Sequence, residues 1–288
     1  MLLQKTRQPA KRRVVKTSIN KEPLKMSSTF MEAFKTGMIA QDYSLKLIAN
    51  NMANSSTTGF KSQRADFQDL MYTTLQASGA QGANNVETPQ ALQYGLGAQF
   101  AGVTTDFSQG SMIQTGNALD LTINGQGFFQ VEMNGTNYYT RDGSFVQSST
   151  GLLTTVDGYP LVPNITLPQG ASAITIDQSG FVSAILPGQT NTQQIGQIQL
   201  AMFANPGGLT RVGKNLYQEG GASGNPQILA PEQQGAGSIV SGFLEGSNVN
   251  IIDQMVGMIA AQRTFEANAK GIQTGDSLLG IVNSLGGA

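Results

Sequence analysis

The sequence predicts an α+β fold in which N- and C-terminal α-helices pair as a coiled-coil-like layer beside a mainly antiparallel β middle domain. Three observations carry this reading. Apolar residues recur in alternating steps of three and four near the N-terminus, the same alternation returns near the C-terminus, and short strand-like runs punctuated by glycine turns fill the space between.

The first alternation runs Met31, Phe34, Met38, Gln41, Leu45, Ile48 and Met52, apolar at every position but Gln41. Such a stripe is the narrow seam along which one helix packs against another. Ser27, Ser28 or Thr29 would cap its start, and Glu32 places a negative charge in the first turn, where it suits the helix dipole. The helix should stop at ANNMANSSTTGFK, residues 49–61. Asparagines there can bond nearby backbone or accept left-handed conformations, the hydroxyl residues offer further local hydrogen bonds, Gly59 supplies a turn and Phe60 anchors the chain beyond it. Helix and junction together occupy residues 26–72.

Residues 73–110, rich in Gly, Gln, Ala and Thr, read as an extended connector without a core of its own. The β domain is expected over residues 111–239. Leu119, Leu121 and Ile123 alternate with polar residues, and FFQVEMNGTNYYTRDGSFV places Asn134-Gly135 between two strand-like runs, a strong hairpin signal. Asp142-Gly143, Asp157-Gly158 and Ser179-Gly180 separate further short runs, including Ala173 to Ile176 and Ile195 to Phe203. Pro160, Pro163, Pro168 and Pro187 demote their surroundings to edges or loops.

Residues 240–288 return to the helical pattern. Ile251, Met255, Met258, Gln262, Phe265, Ala269, Ile272, Asp276 and Leu279 keep the alternation, and seven of these nine are apolar. Ile252, Ile259, Leu278, Val282 and Leu285 widen the stripe, so this helix should touch more than one neighbour. Asn248 or Ser247 would cap its start, and Gly286 and Gly287 would end it. Gln41 and Gln262 occupy otherwise apolar seam positions, where a polar group either fixes register or faces solvent.

Charge divides the chain in two. Eight of its 17 basic residues lie in the first 25 positions with only Glu22 opposing them, so this tail carries +7 and the remainder −8, against a total of −1. Residues 1–25 are expected to be a disordered extension, or translated sequence upstream of a start at Met26. They lack the apolar stretch of a secretory signal. Across the whole chain only 12% of residues are charged, about half the roughly 25% usual for soluble domains, which leaves a polar, uncharged surface able to pack against copies of itself.

Several kinds of chemistry are absent. Without cysteine or histidine there are no disulfides, thiolate sites or imidazole catalysts, and no cofactor or metal is implied. Asp106, Asp120, Glu132, Asp142, Asp157 and Asp177 show no spacing that pairs two carboxylates on one face. Gly125-Gln126-Gly127 opens no helix, so it fails the context of a phosphate loop. Lys61, Arg64 and Arg141 form no basic patch with aromatics, so nucleic-acid binding is not expected, and no apolar run approaches the roughly 20 residues of a membrane span.

Three ordered segments resemble a known pattern. ANNMANSSTTGFKSQRADFQDL is similar to the N-terminal signature of the bacterial flagellar rod and hook family, and GFLEGSNVNIIDQMVGMIAAQRTFEANAKGIQTGDSLLGIV to its C-terminal partner. LDLTINGQGFFQV, YYTRDGSF and GLLTTVDGYPLV resemble its shared β domain. The resemblance runs from about residue 26 to the end, and the length beyond Met26 suits rod members better than hook members, which usually insert a further domain. The basic tail is a departure from the family.

Asn50, Asn51, Asn54, Gly59, Phe60, Gly125, Gly127, Arg141, Gly143, Glu245, Ser247, Asn248 and Val249 match its signatures. The resemblance implies a homo-oligomeric helical polymer in the basal body, exported by the flagellar type III pathway. It further implies contacts with proximal rod proteins, the hook protein, bushing ring proteins and the export apparatus. Helix packing in that polymer would fall to the seam residues named above. A contrasting expectation is a secreted β-rich enzyme or adhesin, a stable monomer with a carboxylate-lined cleft.

Overall fold

The computed structural model describes residues 22–76, 90–171, 173–186 and 191–286. Two long helices, α1 (Glu22–Ala53) and α2 (Ile251–Gly286), flank a middle built from short antiparallel strands. At 1.5 Å per residue they are about 48 and 54 Å long. They lie side by side and antiparallel, since Ile48 meets Gly257, Phe34 meets Gly271 and Met31 meets Gly275.

The helix ends differ from expectation in two respects. α1 begins at Glu22, so Ser27, Ser28 and Thr29 fall within its length and not at its start, and the segment expected as tail contributes its last four residues to the helix. Residues 1–21, Pro187, Gly287 and the side chains of residues 22–29, Val282 and Leu285 lie outside the described residues. The N-cap of α2 is Asn250, whose Oδ1 accepts the Ile252 N–H at 3.1 Å while its carbonyl accepts the Gln254 N–H at 3.1 Å. Asn248 and Ser247 stand too far upstream for that role.

The β middle closes around one main core. Strand Phe128–Met133 turns through Asn134-Gly135 into Thr136–Thr140, both turn residues having positive φ (54° and 77°), as a two-residue hairpin with right-handed twist requires. Alternation along the first strand sends Phe129 and Val131 into a core with Leu121, Ile123, Phe145, Leu153 and Leu200. Phe128 points to the other face, where Tyr139, Phe203 and Tyr217 form a second cluster. The strand Ala173–Ile176 pairs with Phe181–Ile185, which pairs with Thr192–Gln197, adding a three-stranded sheet.

Two further pairings bring the ends of the β domain together. Leu121–Asn124 pairs with Ser238–Ser241, and Met112–Gln114 pairs with Phe243–Glu245. The strands that lead into the domain and those that leave it are therefore zipped together, directly below the helix pair. Residues 73–110 carry strands: Leu92–Gly95 pairs with Tyr72–Gln76, and Ala98–Thr105 with Gln63–Asp69. The latter ribbon lies against α1, with the Phe100 ring stacked on Tyr43 at 4.6 Å between centroids. Its alternation is carried by few apolar residues, which is why it reads as connector in the sequence.

Candidate assembly site

The helix pair is built on small residues. Ala40 and Ala261 are its most buried apolar members, 6% and 5% exposed. Gly257, Gly271 and Gly275 face Ile48, Phe34 and Met31, and a Cβ added at Gly271 would sit 2.6 Å from the Phe34 ring. Small side chains on one helix let large ones on the other approach its backbone closely. On α1 the expected seam residues Met31, Phe34, Met38, Gln41, Leu45, Ile48 and Met52 are all half-buried.

On α2 the face turned toward α1 is rotated from the expected one. Met258, Phe265, Ile272 and Leu279 are half-buried as the alternation implies, but the intervening positions are Gln254, Ala261, Asn268 and Gly275. Ile251, Met255 and Gln262 stand instead on the exposed side, so Gln262 is not a buried polar group within this pair. A face of Ala, Gly and Asn carries little hydrophobic signal, and the larger apolar residues beside it dominate the periodicity. Ile252, Val256 and Ile259 continue that outer stripe, 71%, 63% and 50% exposed.

Below the helices the two junctions meet in a buried ionic cluster. Lys61 Nζ lies 2.5 Å from Glu245 Oε1 and donates to the Ser108 carbonyl at 2.7 Å; the Lys61 and Glu245 side chains are both 0% exposed. The other carboxylate oxygen is 3.4 Å from Arg141 Nη1, and Arg141 Nη2 donates to the Gly125 carbonyl at 2.9 Å. The Arg141 guanidinium also lies over the Phe128 ring at 5.2 Å. Burial pushes the Lys61 ammonium and the Arg141 guanidinium down from their ordinary pKa values, with Glu245 opposing the change in each.

Further hydrogen bonds surround these charges. The Gly59 N–H donates to the Glu245 carbonyl at 2.8 Å, and the Gly110 N–H to Glu245 Oε1 at 3.0 Å. Arg211, stacked between Phe60 and Tyr217 at 5.0 and 5.5 Å, donates to the Lys61 carbonyl. Asn248 Oδ1 accepts the Ser62 N–H at 2.7 Å, and its amide donates to the Asp106 carbonyl at 2.9 Å. Buried Asn51 accepts the Gln63 N–H at 2.9 Å and donates to Gln254 of α2 at 3.1 Å.

Most of the signature residues converge here. Asn51, Gly59, Phe60, Gly125, Arg141, Glu245 and Asn248 share the cluster, while Asn50 and Asn54 close the last turn of α1, with Asn54 Nδ2 donating to the Asn50 carbonyl at 2.9 Å. Gly143 abuts the Leu121 carbonyl, and Gly127 packs on the Leu200 side chain. Ser247 Oγ accepts the Val249 N–H at 3.3 Å, shaping the approach to α2. Lys61 escapes sequence reasoning because an isolated lysine beside polar residues looks solvated. Its one visible signal is its position, immediately after the Gly59-Phe60 corner.

Comparison with known proteins bears on all three parts. Residues 31–61 match the family model described as flagella basal body rod protein, residues 122–184 the flagellar hook protein FlgE/F/G D1 domain, and residues 240–285 the flagellar basal body rod FlgEFG protein C-terminal. The flagellar basal-body rod protein FlgG of Buchnera aphidicola subsp. Schizaphis graminum is 42% identical over 87% of this chain and 97% of its own length. The chain belongs to the flagellar basal-body rod protein FlgG family.

FlgG proteins of Agrobacterium fabrum, 42% identical, and Bacillus subtilis, 38% identical, extend the match across 86% and 85% of this chain and 95% and 94% of theirs. The Helicobacter pylori hook protein FlgE2 aligns at 16% identity over 64% of this chain and 43% of its own, with a TM-score of 0.22, and adds nothing to the assignment. This FlgG-family chain is thus a structural subunit of the flagellar basal body, not an enzyme. Its buried cluster joins the three matched segments, since Lys61 ends the first, Arg141 lies in the second and Glu245 in the third.

Proposed function

We propose that the protein is the distal rod subunit, polymerising into a hollow helical shaft that transmits torque from the motor to the hook. The observation that carries this reading is the outer face of α2, where Ile251, Ile252, Met255, Val256 and Ile259 form an apolar stripe that α1 leaves uncovered. A stripe of that kind on a structural subunit calls for a second molecule. Repetition of one heterologous contact gives an open helical filament. In this arrangement α1 and α2 pair in coiled-coil-like fashion and line the inner tube, Gln262 and the outer apolar residues face neighbouring copies, and the β domain forms an outer layer.

The segments LMYTTLQASGAQ and ALQYGLGAQF, which resemble the connector of the distal rod protein, favour that position over a proximal one. Passage through the type III channel, a course across the periplasm, and contacts with proximal rod, hook and bushing ring proteins belong to the same proposal. The domain division at residues 25, 72, 110 and 239 serves it, separating the tube-lining helices from the outer layer. Deletion of the gene followed by electron microscopy of basal bodies tests the reading. A rod that stops short and carries no hook is expected; a complete hook-basal body contradicts it.

A further inference from the structure

We infer that Glu245 controls closure of the N-terminal junction, so that residues 58–63 become ordered against the β domain only once the C-terminal strand Phe243–Glu245 has docked. The geometry behind this is the charge distribution of the buried cluster. Lys61 and Arg141 are two cations enclosed with a single carboxylate, and that carboxylate lies 184 residues beyond Lys61 in the chain. Before Phe243–Glu245 pairs with Met112–Gln114, Lys61 keeps the Ser108 carbonyl as hydrogen-bond partner and the exposed Asp106 as its remaining nearby anion, and Arg141 stands in the same enclosure. An ammonium and a guanidinium without a counter-ion are strongly disfavoured in a low-dielectric interior. The open junction, with Lys61 in water, is then the lower state.

Docking of the strand changes several interactions together. Glu245 brings a carboxylate to both cations, an acceptor to the Gly110 N–H and a main-chain carbonyl to the Gly59 N–H. Three residues further on, Asn248 fastens Ser62 and Asp106. The last β strand and the first corner of the chain therefore close in one step, and the helix pair above them is set only when the C-terminal segment has arrived. This ordering is a property of the monomer and stands apart from its place in the rod.

Hydrogen exchange of the full-length purified chain, read by mass spectrometry, tests it. Glu245→Gln keeps the shape and the main-chain acceptor for Gly59 but removes the negative charge. Exchange at residues 59–62 and 108–110 is expected to accelerate at least about tenfold, with strand Phe128–Met133 unchanged. Lys61→Met combined with Glu245→Gln returns the cluster to its original net charge and is expected to restore slow exchange. The inference is overturned if the single variant protects the junction as the parent does, if the strand loses protection in step with it, or if the double variant exchanges as fast as the single one.

Discussion

Gly59 holds φ at +65°, and a Cβ there would lie 2.5 Å from the Asp142 amide nitrogen, so both the conformation and the space exclude a side chain. Gly59→Val is expected to cost about 1–3 kcal/mol from the left-handed conformation alone, more once the contact is counted. Because the strain falls on the corner, exchange protection should be lost at residues 58–63 while the sheet retains its own, and motility should fall. Tyr139 offers a second residue-scale expectation. Burial, with Glu219 nearby at 3.3 Å, raises its phenol from 10.0 to about 12. The unfolded chain releases that proton first, so stability should decline between pH 10 and about 12, and Tyr139→Phe should flatten the decline in urea titrations across that range. Gly59 is legible in the sequence as a turn beside asparagines. The Lys61–Glu245 pair is not, because its partners are brought together only by the closure of the whole β domain.

The α1–α2 layer distinguishes two faces of one helix by substitution. Gly271→Leu would drive atoms into the Phe34 ring, and overpacking of this kind costs about 1–3 kcal/mol. It should release α2 in the monomer, seen as faster proteolysis of that helix. Ile259→Ser, on the outer face, should leave the monomer's proteolysis pattern unchanged and still lower rod assembly. Existence of both helices follows from the three-four alternation, since Met31 through Met52 do form one half-buried stripe. The inward face of α2 is obscured for a physical reason. Close approach selects Gly257, Ala261, Gly271 and Gly275, which periodicity of large apolar residues passes over, whereas the two pairs of small residues spaced by four, Gly257 with Ala261 and Gly271 with Gly275, carry the information. The hairpin at Asn134-Gly135 is legible because turn type I′ demands φ above zero at both positions.

At the scale of the molecule, α1 and α2 lie in the same layer, and every segment matched to the family reports to the same buried junction. The layer is incomplete on both helices. α1 packs against α2 and the ribbon Gln63–Asp69 with Ala98–Thr105 but leaves Phe30 and Ile39 about half exposed, while the outer side of α2 keeps the longer stripe of Ile252, Val256 and Ile259 in solvent. A rod subunit stiff enough to carry torque needs its helices locked to its β domain, and the Lys61, Arg141 and Glu245 cluster makes that connection without a flexible linker. The direct measurement is complementation of a strain lacking the gene with a chain carrying Ile252→Arg and Val256→Arg, and then electron microscopy of basal bodies. Two charges on the outer stripe, with the inward face untouched, should yield a folded, exported subunit and basal bodies whose rod stops short without a hook. Complete rods bearing hooks would contradict the assignment of that face to contacts between copies.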